Sequence, residues 1–172
     1  MGSSTRHSLV SELARHDRLL EVGIGNRPTV ARALAERGCD VVGVDIDVGK
    51  RTRAAARDAE DSPNEVRDAE APANAKVGSF QVIEWDIVSA AKSAGDAADF
   101  EQRLATDIDA VYARRLPAEL QRSTVDLAAR LDATCLFTTL GFEEPVVSVS
   151  RRSLPGATLY VAGDGTGPPS RR

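Results

Sequence analysis

The sequence predicts an α/β fold: a three-layer sandwich with a mostly parallel sheet and a C-terminal antiparallel hairpin. Three observations carry this. Short apolar runs recur through the 172 residues and alternate with helical patterns. The first two runs are joined by a glycine turn and one amphipathic helix, within the roughly 30 residues of a βαβ unit. The last two runs flank Leu154, Pro155 and Gly156, which makes them a hairpin.

Each element has its own warrant. Residues 8–16 form a short helix, with Leu9, Val10 and Leu13 at helical spacing. Residues 18–23 form a buried strand through Leu19, Leu20 and Val22, stopped by Gly23. Pro28 opens a helix over residues 29–37, where its missing N–H has no helical partner to lose. Val30, Ala33 and Leu34 share one face of it, and Gly38 closes it as a left-handed cap. Residues 40–46, DVVGVDI, are the second buried strand. Residues 51–79 are rich in Ala, Asp, Glu and Pro, with Val66 and Val77 as the larger aliphatics. This composition predicts a disordered surface insertion with one helical turn around residues 54–59.

Residues 80–87, FQVIEWDI, are the third strand, with Trp85 facing the core opposite Glu84 and Asp86. Residues 89–106 are polar and alanine-rich, with a short helix over 99–104. Residues 108–112 are the fourth strand. The clearest helix spans 117–131, with Pro117 at its start and Leu120, Val125, Leu127, Ala128 and Leu131 in one stripe. Residues 133–139 are the fifth strand, and 146–150 and 158–162 the hairpin. Residues 1–162 read as one domain and 163–172 as a flexible tail.

Composition excludes several classes. A net charge of −4 argues against nucleic acid as the main partner. No apolar run reaches the ~20 residues that span a bilayer, and the N-terminus lacks the apolar stretch of a signal peptide. Cys39 and Cys135 are too few for a disulfide framework and are assigned to packing, so a cytoplasmic protein is expected. No metal-ligand spacing is present, and His7 and His16 receive no catalytic role. Of 22 basic residues, three are lysine, and aspartate outnumbers glutamate 15 to 11. This pattern is that of proteins from salt-rich cytoplasm, and equally that of a GC-rich genome.

The stretch that carries chemistry is Glu21-Val22-Gly23-Ile24-Gly25-Asn26, followed by Asp45. Glycines at a strand end let the backbone turn and let a ligand approach closely. The following helix points free N–H groups across that turn. Asp45 stands 20 residues beyond Gly25 at the tip of the neighbouring strand, where a carboxylate accepts both hydroxyls of a ribose. A small nucleoside ligand is therefore expected at the carboxyl ends of the strands. A dinucleotide fingerprint needs a third glycine where Pro28 stands. Glu21 would also repel a pyrophosphate but suits a ligand with an ammonium and a sulfonium, such as S-adenosylmethionine. Asn26 tolerates the left-handed region and supports the turn.

The motifs EVGIGN, TVARALAERG, VVGVDI, Asp86-Ile87 and YARRLPAELQ, with the strand through Cys135 and Phe137, resemble an uncharacterised archaeal protein family. That family has a shortened class I methyltransferase-like, Rossmann-type fold, whose last strand inserts antiparallel beside the preceding one. The resemblance implies a pocket for S-adenosylmethionine or S-adenosylhomocysteine formed by Glu21, Gly23, Gly25, Asn26, Asp45 and Asp86, the last beside the adenine amino group. It implies no particular reaction, and no catalytic residue is assigned. Tyr112 and Arg115 are rim candidates, Tyr112 as packing or as a face for adenine. Arg115 either pairs with Glu119 or contacts an anionic substrate; Arg114 reads as the partner of an acid. Two further readings stay open: a non-catalytic Rossmann-like module, and an NAD-binding oxidoreductase.

Overall fold

The computed structural model describes residues 3–61, 76, 78–92, 94–104, 106–141 and 143–163. A seven-stranded sheet runs in the order β3-β2-β1-β4-β5-β7-β6. Strands β1 (Arg18–Val22), β2 (Asp40–Asp45), β3 (Phe80–Glu84), β4 (Ala110–Ala113) and β5 (Thr134–Phe137) are parallel. β7 (Ala157–Ala162) lies antiparallel to β5 and pairs with β6 (Val149–Leu154) as a hairpin.

The period-2 alternation of the strands divides the core in two. Leu19, Val41, Phe80, Ala110 and Leu136 face α1 (Ser3–Leu13), α2 (Thr29–Glu36) and α3 (Lys50–Asp61). Leu20, Val42, Val44, Val111, Cys135 and Phe137 face α4 (Ile87–Lys92), α5 (Ala94–Leu104) and α6 (Ala118–Arg130). The chain thus winds one way from β1 to β3 and back over the other face from β4 to β5. Strand order reverses between β1 and β4, the place where open α/β sheets form a crevice at the carboxyl ends of their strands.

Gly38 closes α2 as expected. At φ +89° it lets Cys39 N donate to Leu34 O at 3.1 Å and Gly38 N to Ala35 O at 2.9 Å, a Schellman closure. A Cβ there would also sit 2.7 Å from the Lys76 carbonyl oxygen.

Several boundaries differ from the sequence reading, each for a physical reason. The N-terminal helix begins at Ser3 and ends at Leu13, because Thr5 packs under Gly156 of the hairpin turn while Leu9, Val10 and Leu13 are buried. Lys50–Asp61 is a three-turn helix rather than one turn, since Thr52, Ala55 and Ala56 pack onto the sheet. Alanine is small enough to bring a helix backbone close to a strand, so this face needs no large aliphatic. Of the expected insertion, residues 62–75 and 77 lie outside the described residues, as do residues 164–172 of the expected tail.

The third strand ends at Glu84, three residues early. Asp86 leaves the ladder to cap α4: its Oδ1 accepts from Val88 N at 2.9 Å and its Oδ2 from Ser89 Oγ at 2.9 Å. Trp85 is half-buried against Phe100, ring centroids 6.0 Å apart, with the Arg103 guanidinium over its face. The polar stretch before β4 folds as two helices, and Ala97, Phe100 and Leu104 supply the buried stripe of α5. The hairpin strands are shifted to Val149–Leu154 and Ala157–Ala162 around Gly156 at φ +78°.

Candidate functional site

The crevice is built from three strand ends. After Val22, Gly23 at φ +72° turns the chain, and its N–H donates to Val44 O at 2.9 Å. Gly25, at φ +49°, is the second left-handed residue of the turn. Between them Ile24 is fully buried, and its side chain fills the space that a Cβ on Gly43 would need, 2.6 Å away. Gly23 itself is exposed, and a Cβ there would meet nothing within 4 Å. The turn therefore presents bare backbone to open space.

Asp45 stands beside it at the end of β2. Its Oδ2 accepts from Gly25 N at 2.8 Å and its Oδ1 from Asp47 N at 3.1 Å. The carboxylate is partly exposed. Each oxygen keeps a second lone pair for a further donor. Ile46, next in sequence, is 75% exposed, an apolar side chain held at the rim of the crevice.

Asn26 links the turn to the next helix. Its Oδ1 accepts from Arg51 N at 2.8 Å, serving the first turn of α3 as an N-cap supplied from outside the helix. Gly49 N donates to Gly25 O at 3.1 Å alongside. A Cβ on Gly49 would lie 2.5 Å from Asn26 Cβ, so the two loops meet only because Gly49 has none.

Glu21 lies beneath the turn and is 1% exposed. The β1–β4 register sets it opposite Tyr112, whose hydroxyl donates to Glu21 Oε2 at 2.6 Å. Arg114 closes on the other oxygen, Nε to Oε1 at 2.8 Å and Nη2 to Oε1 at 2.6 Å. The same Nη2 reaches the Arg27 carbonyl oxygen at 2.6 Å and ties the glycine turn to the end of β4. Burial pushes the Glu21 carboxyl above the ordinary carboxylate range, and the Arg114 charge and the Tyr112 hydrogen bond pull it back. Burial and then the Glu21 charge hold the Tyr112 phenol well above its usual value, so it remains a donor.

Tyr112 is therefore not a rim residue. Mid-strand and 1% exposed, it is part of the core, and its hydroxyl satisfies a buried acid. Arg115 lies two residues beyond β4. It is exposed and sits at φ +56°, with its N–H donating to Thr138 Oγ1 at 2.9 Å. Glu119 does not pair with it: among the described residues no carboxylate lies within ion-pair distance of Arg115. Asp86 is half-buried at the far side of the crevice, engaged as the α4 cap.

Arg114 is the partner of an acid, as expected, and the structure identifies that acid as Glu21; two groups are added that sequence reasoning left without a place, Ile46 after β2 and Thr138 under Arg115. Arg114 had a signal, because an acid inside a buried strand requires a cationic or donor partner. The other two had none, because Ile46 reads as one more strand residue. Among the described residues no group of three or more His, Cys, Asp and Glu is placed to hold a metal ion, and no helix is long and apolar enough to cross a membrane.

A model of one uncharacterised protein family, UPF0146, matches residues 5–71 and 66–162. The chain belongs to that family. Its relatives in two strains of Halobacterium salinarum are 39% identical over 158 residues, covering 91% of this chain and 95% of theirs. Among solved structures, an rRNA methylase from Streptococcus thermophilus superposes with a TM-score of 0.52 at 10% identity, covering 94% of this chain and 97% of that one. An RNA methyltransferase from Salinibacter ruber, in complex with S-adenosyl-L-homocysteine, gives 0.50 at 16% identity, covering 94% and 90%. The fold of this UPF0146 chain is thus the Rossmann-like fold of the methyltransferases, and its relatives are halophilic, one of the two sources its lysine-poor, aspartate-rich composition left open.

Proposed function

We propose that this UPF0146 protein binds S-adenosylmethionine or S-adenosylhomocysteine in the crevice between β1 and β4, as a small methyltransferase-like protein. The observation that carries the reading is the Asp45 carboxylate: fixed by two backbone N–H groups, partly exposed, and next to a glycine turn that opens on empty space. In this reading Asp45 accepts the ribose hydroxyls. Gly23 and Gly25 admit the ligand against the backbone, Ile46 supplies an apolar face for the base, and Asp86 closes the far side. Asn26 holds the turn against α3. Glu21 acts from beneath, through Arg114, rather than by touching the ligand. S-adenosylmethionine supplies an activated methyl on a good leaving group, so the protein's task is alignment.

One observation favours a binding module without catalysis: both Glu21 oxygens are engaged by Tyr112 and Arg114. In that reading the same pocket holds the ligand without transferring a group.

Thermal unfolding with S-adenosylmethionine, S-adenosylhomocysteine, NAD and NADP, at low and at molar salt, tests the pocket. A ligand at ~100 times its dissociation constant stabilises a fold by roughly 2.7 kcal/mol, a readily measured rise in Tm. The adenosyl ligands should raise Tm in the wild type and not in Asp45→Ala. Absence of a shift with either adenosyl ligand, on a folded protein, refutes the reading; a shift with NAD or NADP alone moves it to an oxidoreductase.

A further inference from the structure

The end of β4 carries two adjacent arginines with opposite fates. Arg114 turns inward and is spent on Glu21. Arg115 is exposed, and no hydrogen bond or ion pair engages its guanidinium among the described residues. Its backbone is held in a conformation that suits glycine or asparagine, φ +56°. Thr138, the residue after β5, enforces this. Its Oγ1 accepts from Arg115 N at 2.9 Å, its carbonyl accepts from Leu116 N at 2.7 Å, and its own N–H donates to Ala113 O at 3.0 Å. Thr138 is buried, so the clamp is rigid. A strained residue at a crevice, fixed by its surroundings, points to a use for its side chain.

A second cation sits on the loop that Arg114 ties to this strand end. Arg27 is exposed on the glycine turn, and Arg114 binds its carbonyl oxygen. Glu21, the acid under the turn, is buried and already paired with Arg114. The turn and the end of β4 thus carry two exposed arginines that no ion pair engages among the described residues, in a chain whose net charge is −4. A planar guanidinium there matches the two oxygens of a phosphate or carboxylate.

We propose that Arg115, helped by Arg27 on the adjoining glycine turn, holds an oxyanion on the acceptor substrate, so that the crevice takes an anionic small molecule. The proposal rests on the adenosyl-ligand reading for the word acceptor, and on Arg115 alone for the word anionic.

The test is calorimetric titration of the full chain with inorganic phosphate at constant ionic strength, and separately with S-adenosylhomocysteine. Arg115→Gly removes the guanidinium and suits the backbone, so it should fold with Tm unchanged or higher. Arg115→Asn, which also tolerates the conformation, is the second variant. Phosphate affinity should fall about tenfold or more in both, and by a smaller factor in Arg27→Ala, while S-adenosylhomocysteine affinity stays within about twofold. Equal phosphate binding by the wild type and Arg115→Gly overturns the proposal, as does no binding to the wild type. Loss of S-adenosylhomocysteine affinity in Arg115→Gly with phosphate binding intact also overturns it, by assigning Arg115 to the nucleoside pocket. If S-adenosylhomocysteine fails to bind the wild type, the adenosyl reading falls, and the phosphate titration still decides the role of Arg115.

Discussion

Arg114 determines what Glu21 is able to do. A carboxylate in a buried strand is tolerable only with its charge matched and its lone pairs occupied, and Arg114 and Tyr112 do both. Removing one member leaves the other exposed to that cost. Glu21→Ala should destabilise the fold by about 3–5 kcal/mol in chemical denaturation, and the double change Glu21→Leu with Arg114→Leu by much less. The Glu21 titration has a defined sign. Its folded pKa lies above the ordinary 4.5, so its contribution to stability is complete below that value and is lost as pH rises through the folded pKa. The stability of the wild type relative to Glu21→Gln should therefore decline as pH rises from about 4.5. A rising difference would mean that the Arg114 attraction outweighs burial. Asp45 is the opposite kind of acid, partly exposed and held by backbone N–H groups. Asp45→Ala should weaken S-adenosylhomocysteine binding about tenfold or more by calorimetry, since hydrogen bonds to a charged group are lost.

At the scale of elements, the junction of the glycine turn with α3 matters most. Asn26 Oδ1 serves the Arg51 N–H, a donor that the helix cannot satisfy itself. Asn26→Ala should cost about 1 kcal/mol, as the loss of an N-cap does. Gly49→Ala should do more harm, because its Cβ would collide with the Asn26 side chain and push the turn away from Asp45. Both stability and adenosyl-ligand affinity should drop in that variant, whereas Asn26→Ala should affect chiefly stability. Helix α3 also shows how a helix is hidden by composition. Its buried face is Thr52, Ala55 and Ala56, which carries little hydrophobic signal but fits closely against the sheet. Ala55→Asp places a charge in that contact and should lower stability by about 2 kcal/mol or more.

Over the whole molecule, the two faces of the sheet are covered in different ways. One face includes an extra helix, α1, ahead of the first strand. Leu13 is fully buried there, and Thr5 meets the hairpin turn at Gly156. The first helix and the last hairpin therefore belong to one packing unit, and unfolding should be a single cooperative transition. Leu13→Ala should lower the midpoint of that transition with a loss of about 2–5 kcal/mol, without splitting it in two. A separate early transition would show that α1 is only loosely docked.

Local residue chemistry was enough to place the five parallel strands, the glycine turn, the Schellman glycine, helix α6 and the antiparallel hairpin. Each depends on patterns within a few residues: runs of Val and Leu, Gly where φ must be positive, Pro where an N–H is dispensable. The EVGIGN turn and Asp45 were readable for the same reason, since β1, the turn, α2 and β2 are consecutive in the chain. Which residues meet across the sheet was not readable, even where, as for Arg114, the need for an acidic partner was. Glu21 meets Tyr112 and Arg114 only through the β1–β4 register, 91 and 93 positions away in sequence. Asp86 changed from strand tip to helix cap because Val88 and Ser89 offered donors that the strand edge did not. Arg115 owes its strained backbone to Thr138, just past the end of β5. Local propensity and turn chemistry act over neighbouring residues; pairing a buried charge or straining a backbone requires contacts that exist only once the sheet has formed.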